Sequence, residues 1–175
     1  MLAALYILIG LLALLFLVHL IAPKEYNVFR TVEISKPKSE VFNYLKSLKS
    51  MDDWSPWAKK DPNMQKKFSG TDGEVGCISY WNGNKHVGEG EQEIKKIIDG
   101  DRIESELRFL KPFKSTSDCY IDVEDSGSGS TKVTWGFSGK SKFPMTIFGI
   151  FKSMDSMVGP DFEAGMASLK AVLEK

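Results

Sequence analysis

The chain opens on an unbroken apolar run and then changes character. Residues 2–22, LAALYILIGLLALLFLVHLIA, carry no charged side chain and stop at Pro23. As a helix rising about 1.5 Å per residue the run is roughly 30 Å long, the thickness of a bilayer's hydrocarbon core. From Lys24 the pattern alternates instead. In KEYNVFRTVEIS, Val28, Val32 and Ile34 alternate with Asn27, Thr31 and Glu33, which predicts a strand over residues 24–35. Pro37 then opens a short helix whose apolar face is Val41, Phe42, Leu45 and Leu48, with Ser35 or Ser39 placed to cap it. A second short helix or turn covers Met51–Trp57, where Asp52 or Asp53 can serve as N-cap and Trp54 and Trp57 share one face.

After Asp61-Pro62 the period-two signal dominates. Strands are predicted at Lys66–Phe68, Gly76–Trp81, Lys85–Ile98, Arg102–Phe109, Lys114–Glu124 and Thr131–Lys140. Asn82-Gly83-Asn84 predicts a hairpin turn, because Asn-Gly readily takes positive φ, and Asp125–Ser130 a flexible hairpin connection. Alternation places Gly88, Gly90, Gln92 and Ile94 on one face of their strand, and Glu89, Glu91 and Glu93 on the other. It turns Ser105, Leu107, Phe109, Ser117, Cys119, Trp135 and Phe137 to the same inner side. The stretch Phe143–Lys175 reads as a long amphipathic helix. Phe148, Phe151, Met154 and Met157 or Val158 lead its stripe, and Phe162, Met166, Leu169 and Val172 or Leu173 continue it. Gly159-Pro160 predicts a break in the middle. Its first half, Pro144 to Val158, is then free to tilt as a gate, and the second half anchors the core. Segregated helices and an antiparallel meander make the fold class α+β, a curved sheet of about six or seven strands closed upon one long C-terminal helix.

Composition divides the chain. All charged residues follow the first run, which separates an apolar segment, residues 1–23, from a domain over residues 24–175. No Lys or Arg precedes the run and His19-Leu20-Ile21-Ala22 is a poor cleavage site, so an uncleaved single-pass membrane anchor is favoured over a signal peptide. Lys24, Arg30, Lys36 and Lys38 follow the span, which by positive-inside bias places the domain in the cytoplasm. Cys77 and Cys119 fit no zinc spacing and no disulfide framework. With 23 basic and 23 acidic residues and no basic stripe, nothing supports nucleic-acid binding.

Catalytic motifs are missing. There is no GxSxG elbow, HExxH, EF-hand loop, P-loop or GxGxxG. The domain holds a single histidine, His86, and Gly88-Glu89-Gly90 has no helix after it to hold a phosphate. Neither a metal nor a cofactor is expected.

The element order resembles a known family, as do Trp54-Ser-Pro-Trp57-Ala-Lys-Lys-Asp-Pro62, Lys111-Pro-Phe-Lys114 and Gly159-Pro-Asp-Phe162. This is the SRPBCC superfamily, the START-like and birch-pollen-allergen-like helix-grip fold. Bacterial members of the polyketide cyclase/dehydrase type are the nearest in character. The resemblance covers residues 24–175. It implies a curved antiparallel sheet gripping the C-terminal helix over a hydrophobic cavity, with two short helices after the first strand. It implies far less about chemistry, since the fold hosts transport, sensing, co-chaperone and enzyme members.

The residues expected to line such a cavity are Trp81, Gly88, Gly90, Gln92, Phe109, Trp135, Phe137, Phe148, Phe151 and Met154. Small inward residues there either leave space or are filled by a neighbouring ring. The expected partners are therefore a small hydrophobic ligand, lipid-like or polycyclic, and the membrane. Two alternatives stand beside this reading. One is a cyclase/dehydratase-like enzyme, which needs Tyr80, Tyr120, Glu91 or His86 inside the cavity. The other is a protein-interaction module with a collapsed core.

Overall fold

The computed structural model describes residues 2–141 and 145–175, leaving aside the side chains of Met145, Phe148 and Phe151. The apolar run forms helix α1 (Leu2–Ile21), which is long and apolar enough to cross a membrane and buries none of its residues against the rest of the chain. Pro23, with its fixed φ and missing N–H, follows the helix, and the chain passes directly into β1 (Glu25–Ile34), with Val28 and Ile34 buried.

Helix α2 (Lys38–Leu45) buries Val41, Phe42 and Leu45. Pro37 itself is the N-cap and neither Ser35 nor Ser39 caps; the Pro37 carbonyl instead accepts from the Glu40 and Val41 N–H groups. Helices α3 (Met51–Trp54) and α4 (Pro56–Lys60) follow, with Pro56 at the first position of the second. Ser50 is the N-cap of α3, so Asp52 and Asp53 lie within its first turn and not before it. Their carboxylates are engaged elsewhere, Asp52 with Lys66 and Asp53 with the Tyr44 hydroxyl.

Six more strands complete one antiparallel sheet: β2 (Gln65–Ser69), β3 (Ile78–Asn82), β4 (Glu89–Ile98), β5 (Arg102–Lys111), β6 (Ser115–Gly127) and β7 (Ser130–Lys140). The order across the sheet is β1-β7-β6-β5-β4-β3-β2, so β1 and β2 are its edges. Because the side-chain period is two, the register decides which residues meet on the inner face. Val28 stands opposite Phe137, Cys119 opposite Phe137 from the other side, and Gln92 opposite Leu107. Between β3 and β4 the chain departs from a tight Asn-Gly turn. Gly83 does not take positive φ; Gly88 does, at 74°. Asp61 accepts from the Asn84 N–H at 2.6 Å, and the Asn84 side chain donates to the Lys60 carbonyl at 3.1 Å. These long-range bonds hold residues 83–88 as a wider loop.

After β7 come α5 (Met145–Phe151) and α6 (Met154–Leu173). The expected helix start at Phe143 and Pro144 lies outside the described residues. The break in the C-terminal helix is at Lys152-Ser153, not at Gly159-Pro160. Ser153 caps α6 by accepting from the Ser156 N–H at 3.1 Å, and the helix runs through Pro160 to Leu173. Arg30 holds the turns on both sides of the proline together. Its guanidinium donates to Asp155 at 2.8 Å and to Glu163 at 2.8 Å. It fills the space a side chain at Gly159 would need. Val158 therefore belongs to the continuous helix, and a gate ending there is not supported. Phe162, Gly165, Met166, Leu169 and Leu173 form the buried stripe. Glycine at 165 admits the Trp135 ring, since a Cβ there would lie 2.8 Å from Trp135 Cζ3.

Candidate ligand cavity

The interior is divided into a filled half and an open half. On the β7 side the core is solid. Trp135 stacks on Phe162 with ring centroids 4.1 Å apart, and Trp54 and Trp57 both meet Trp135 edge-on, at 4.9 and 5.6 Å. Such aromatic pairs add stabilisation beyond their buried area. Tyr26 covers Gly139 and shares a 2.8 Å hydrogen bond with Ser117. Its burial raises the phenol pKa above the ordinary tyrosine value. Two of the small inward positions, Ser117 and Gly139, are thus occupied by one ring.

On the β3–β5 side a cavity of about 320 Å³ lies between the sheet, α3, α4 and α6. Trp81, Gln92, Leu107, Phe109 and Phe137 form its floor. Met51, Trp57, Ala58, Val158 and Phe162 form its roof, and Val87, Gly88, Lys111 and Pro112 its rim. Of the residues singled out from sequence, Trp81, Gly88, Gln92, Phe109, Trp135 and Phe137 are in this lining. Two are not. Gly90 leaves no space, because the Trp81 ring lies over it; a Cβ would stand 2.5 Å from Trp81 Cζ2 and from the Arg108 carbonyl. Met154 packs on the core, half buried, away from the cavity. The side chains of Phe148 and Phe151 lie outside the described residues.

The polarity of the wall is uneven. Gln92 is 9% exposed, faces the cavity and its side chain makes no hydrogen bond among the described residues. A carboxamide carries both donors and an acceptor, so in an apolar cavity it costs free energy unless water or a bound molecule occupies them. The Cys119 thiol also lines the wall, and burial pushes its pKa up to about 11, which makes it a poor nucleophile. At the rim stand Lys85, His86 and the Asp52–Lys66 ion pair.

Chemistry needing an acid or base inside finds little here. Tyr80 donates to Glu89 at 2.8 Å on the outer face of the sheet, and Glu91 accepts from Arg108 at 2.6 Å on that same face. Tyr120 lies outside as well, its ring over Gly136 and 4.5 Å from the Arg102 guanidinium carbon. Only His86 of the four is near the cavity, on the exposed loop at its rim. Among the described residues no group of His, Cys, Asp and Glu side chains could hold a metal ion.

Sequence reasoning missed the roof, and of the rim it singled out Gly88 and His86. Met51, Ala58, Val158 and Phe162 reach the cavity only because α3, α4 and α6 cross the sheet. Arg30 carried no signal beyond its even position on β1, which is the inner parity shared with Val28 and Ile34.

Three solved structures share the fold. Ginseng major latex-like protein 151 from Panax ginseng superposes with a TM-score of 0.61 at 14% identity, over 87% of this chain and 100% of that one. The Aha1 dimer from Colwellia psychrerythraea gives 0.54 at 15% identity, over 85% and 96%. Ara h 8.0201 gives 0.53 at 12% identity, over 84% and 99%. The chain has the helix-grip fold. No protein-family profile and no curated protein sequence matches it. In helix-grip terms α6 is the gripped helix, and the cavity occupies the part of the grip that Trp135, Phe162 and Tyr26 do not fill.

Proposed function

We propose that the protein is a membrane-anchored binding domain for a small, mostly apolar molecule carrying one hydrogen-bonding group. The observation that carries this reading is Gln92, a residue only 9% exposed whose carboxamide opens into an apolar cavity and makes no hydrogen bond among the described residues. Ligand sites combine apolar walls with a few placed polar groups, and this cavity has that composition. Its volume, about 320 Å³, is at the low end of such sites. A cavity of that size suits a small molecule such as a single ring or fused pair. Anchoring is supported by α1, whose length and exposed apolar surface suit a bilayer. An apolar ligand partitions into that same bilayer, so a tethered domain meets it at high local concentration.

Native mass spectrometry of the full chain, extracted gently from membranes, tests the reading. A co-purifying small molecule is expected, displaced in Val158→Trp, where the indole would fill the cavity from α6. Absence of any bound species, together with no uptake of an apolar fluorescent probe, would refute it.

A further inference from the structure

The sheet register shows which end of the domain carries the cavity mouth. Pro23 and Lys24 alone separate the apolar run from Glu25, the first residue of β1. Glu25 pairs with Lys140, Phe109 with Ser115, Lys111 with Glu89 and Asn82 with Glu89. All four pairs lie at one end of the sheet, so the 83–88 loop and the Pro112–Lys114 turn share the end from which α1 departs. These are the segments that supply Lys85, His86, Val87, Gly88, Lys111 and Pro112 to the cavity rim.

The same end has a surface suited to lipid. Phe113, at the tip of the β5–β6 turn, is 72% exposed, the most exposed large apolar side chain among the described residues of the sheet and its loops. Lys114 beside it, Lys85 on the neighbouring loop and Lys24 at the end of α1 are exposed and take part in no ion pair among the described residues. Helix α5 joins this end to α1 through a 2.7 Å hydrogen bond between Thr146 Oγ1 and His19 Nδ1, with Thr146 fully buried. Ile150 of α5 is exposed. An aromatic tip ringed by unpaired lysines is the composition that enters the headgroup region of an anionic bilayer.

We propose that the Pro112–Phe113 tip inserts into the interface of the bilayer that holds α1, with Lys85 and Lys114 on anionic headgroups, so that the cavity opens toward the lipid. This rests on the anchoring reading above and adds an orientation to it. The contact has two parts, an apolar one from Phe113 and a salt-screened one from the lysines.

Full-length protein in nanodiscs of phosphatidylcholine containing roughly one-third phosphatidylserine provides the test, since anionic lipid supplies the proposed charge partner. An environment-sensitive fluorophore is placed through Phe113→Cys, Ser128→Cys at the opposite end of the sheet, or Leu11→Cys within α1. The native cysteines are buried and stay unlabelled. The expected result is a Phe113-site label shielded from an aqueous quencher and quenched by lipid brominated near the glycerol, with the Ser128-site label in water. Lys85→Gln and Lys114→Gln should each lower the ratio of inserted to free tip about fivefold, the weight of one surface lysine. A Phe113-site label as open to water as the Ser128-site label, with the Leu11-site label in lipid, overturns this inference and leaves the anchor standing. A Leu11-site label in water removes the anchor and the inference together. Ligand uptake is read separately by mass spectrometry, so an inserted tip without a ligand would sink the binding reading alone.

Discussion

Replacing Gln92 by leucine separates what the cavity costs the protein from what it gives a ligand. In the free protein Gln92 is 9% exposed as a residue, and its carboxamide faces the cavity and makes no hydrogen bond among the described residues. A buried amide left without a partner costs about 1–3 kcal/mol. Leucine has nearly the same volume and no polar atoms, so it removes that cost while keeping the contacts with Ser79 and Leu107, its cross-strand neighbours. The rim lets some solvation reach the amide, and the low end of the range, about 1 kcal/mol, is the expected gain in stability. For a chain of this size that corresponds to a rise in Tm of roughly 2–4 °C. Binding should move the other way. Loss of one hydrogen bond worth about 1 kcal/mol weakens affinity roughly fivefold. Urea unfolding followed by tryptophan fluorescence gives the first quantity, and probe or ligand titration in the same detergent gives the second. A Gln92→Leu protein that is less stable than the parent would show that the carboxamide already has a partner. Unchanged affinity beside higher stability would show that the ligand's polar group lies elsewhere.

Four further outcomes follow from the packing and charge described above. Gly90→Ala forces a methyl into the Trp81 ring and the Arg108 carbonyl and should destabilise by about 1–3 kcal/mol, read by denaturant midpoint and by a changed near-ultraviolet signal from the displaced indole. Pro160→Ala restores an N–H inside α6 and should stabilise by about 1–2 kcal/mol, an interior proline's cost of about 3 less roughly 1 for the looser unfolded chain; a large loss would mean that the ring itself is packed. Cys119, with its thiol pushed up to about 11 by burial, should resist alkylation at pH 8 and react only as the protein unfolds. Asp155, Glu93 and Glu174 are held below the ordinary carboxylate range, by Arg30, by Arg108 and by the Ser35 N–H respectively. Their stabilisation is complete above the unfolded value of about 4 and disappears as pH falls through the lower folded values, so an acid titration should show stability declining below about pH 4 and level above it.

The strands were legible because one face of the sheet is wet and the other is not. Arg102, Glu104, Glu106 and Arg108 alternate with Ile103, Ser105, Leu107 and Phe109, and the structure keeps that division. Conflicts between local rules and distant partners were not legible. Asn82-Gly83 has the chemistry of a two-residue turn, but Asp61 and Lys60, some twenty positions earlier, draw Asn84 into a wider loop. Gly159-Pro160 has the chemistry of a break, but Arg30 ties Asp155 and Glu163 across it. The cavity shows the same limit. Alternation marks Gly90 as a missing side chain, yet only the fold reveals that Trp81, its partner across the β3–β4 ladder, lies over it. Gln92 was legible as an inward polar residue, whereas its lack of a partner depends on every element packed around it.

The two edges of the sheet acquire a meaning on the proposed anchoring that they lack in free solution. Domains tethered through one short connection share a height and an orientation above the bilayer, so like edges of neighbouring copies meet far more often than they would by tumbling. An open strand edge in that setting is an invitation to pair. Here β2 has five residues, QKKFS, with Lys66 and Lys67 upon it, and β1 lies under α6 and is pinned to it through Arg30. A short lysine-bearing edge on one side and a helix-covered one on the other keep crowded copies separate, so that lateral density can rise without the sheets joining into a ribbon.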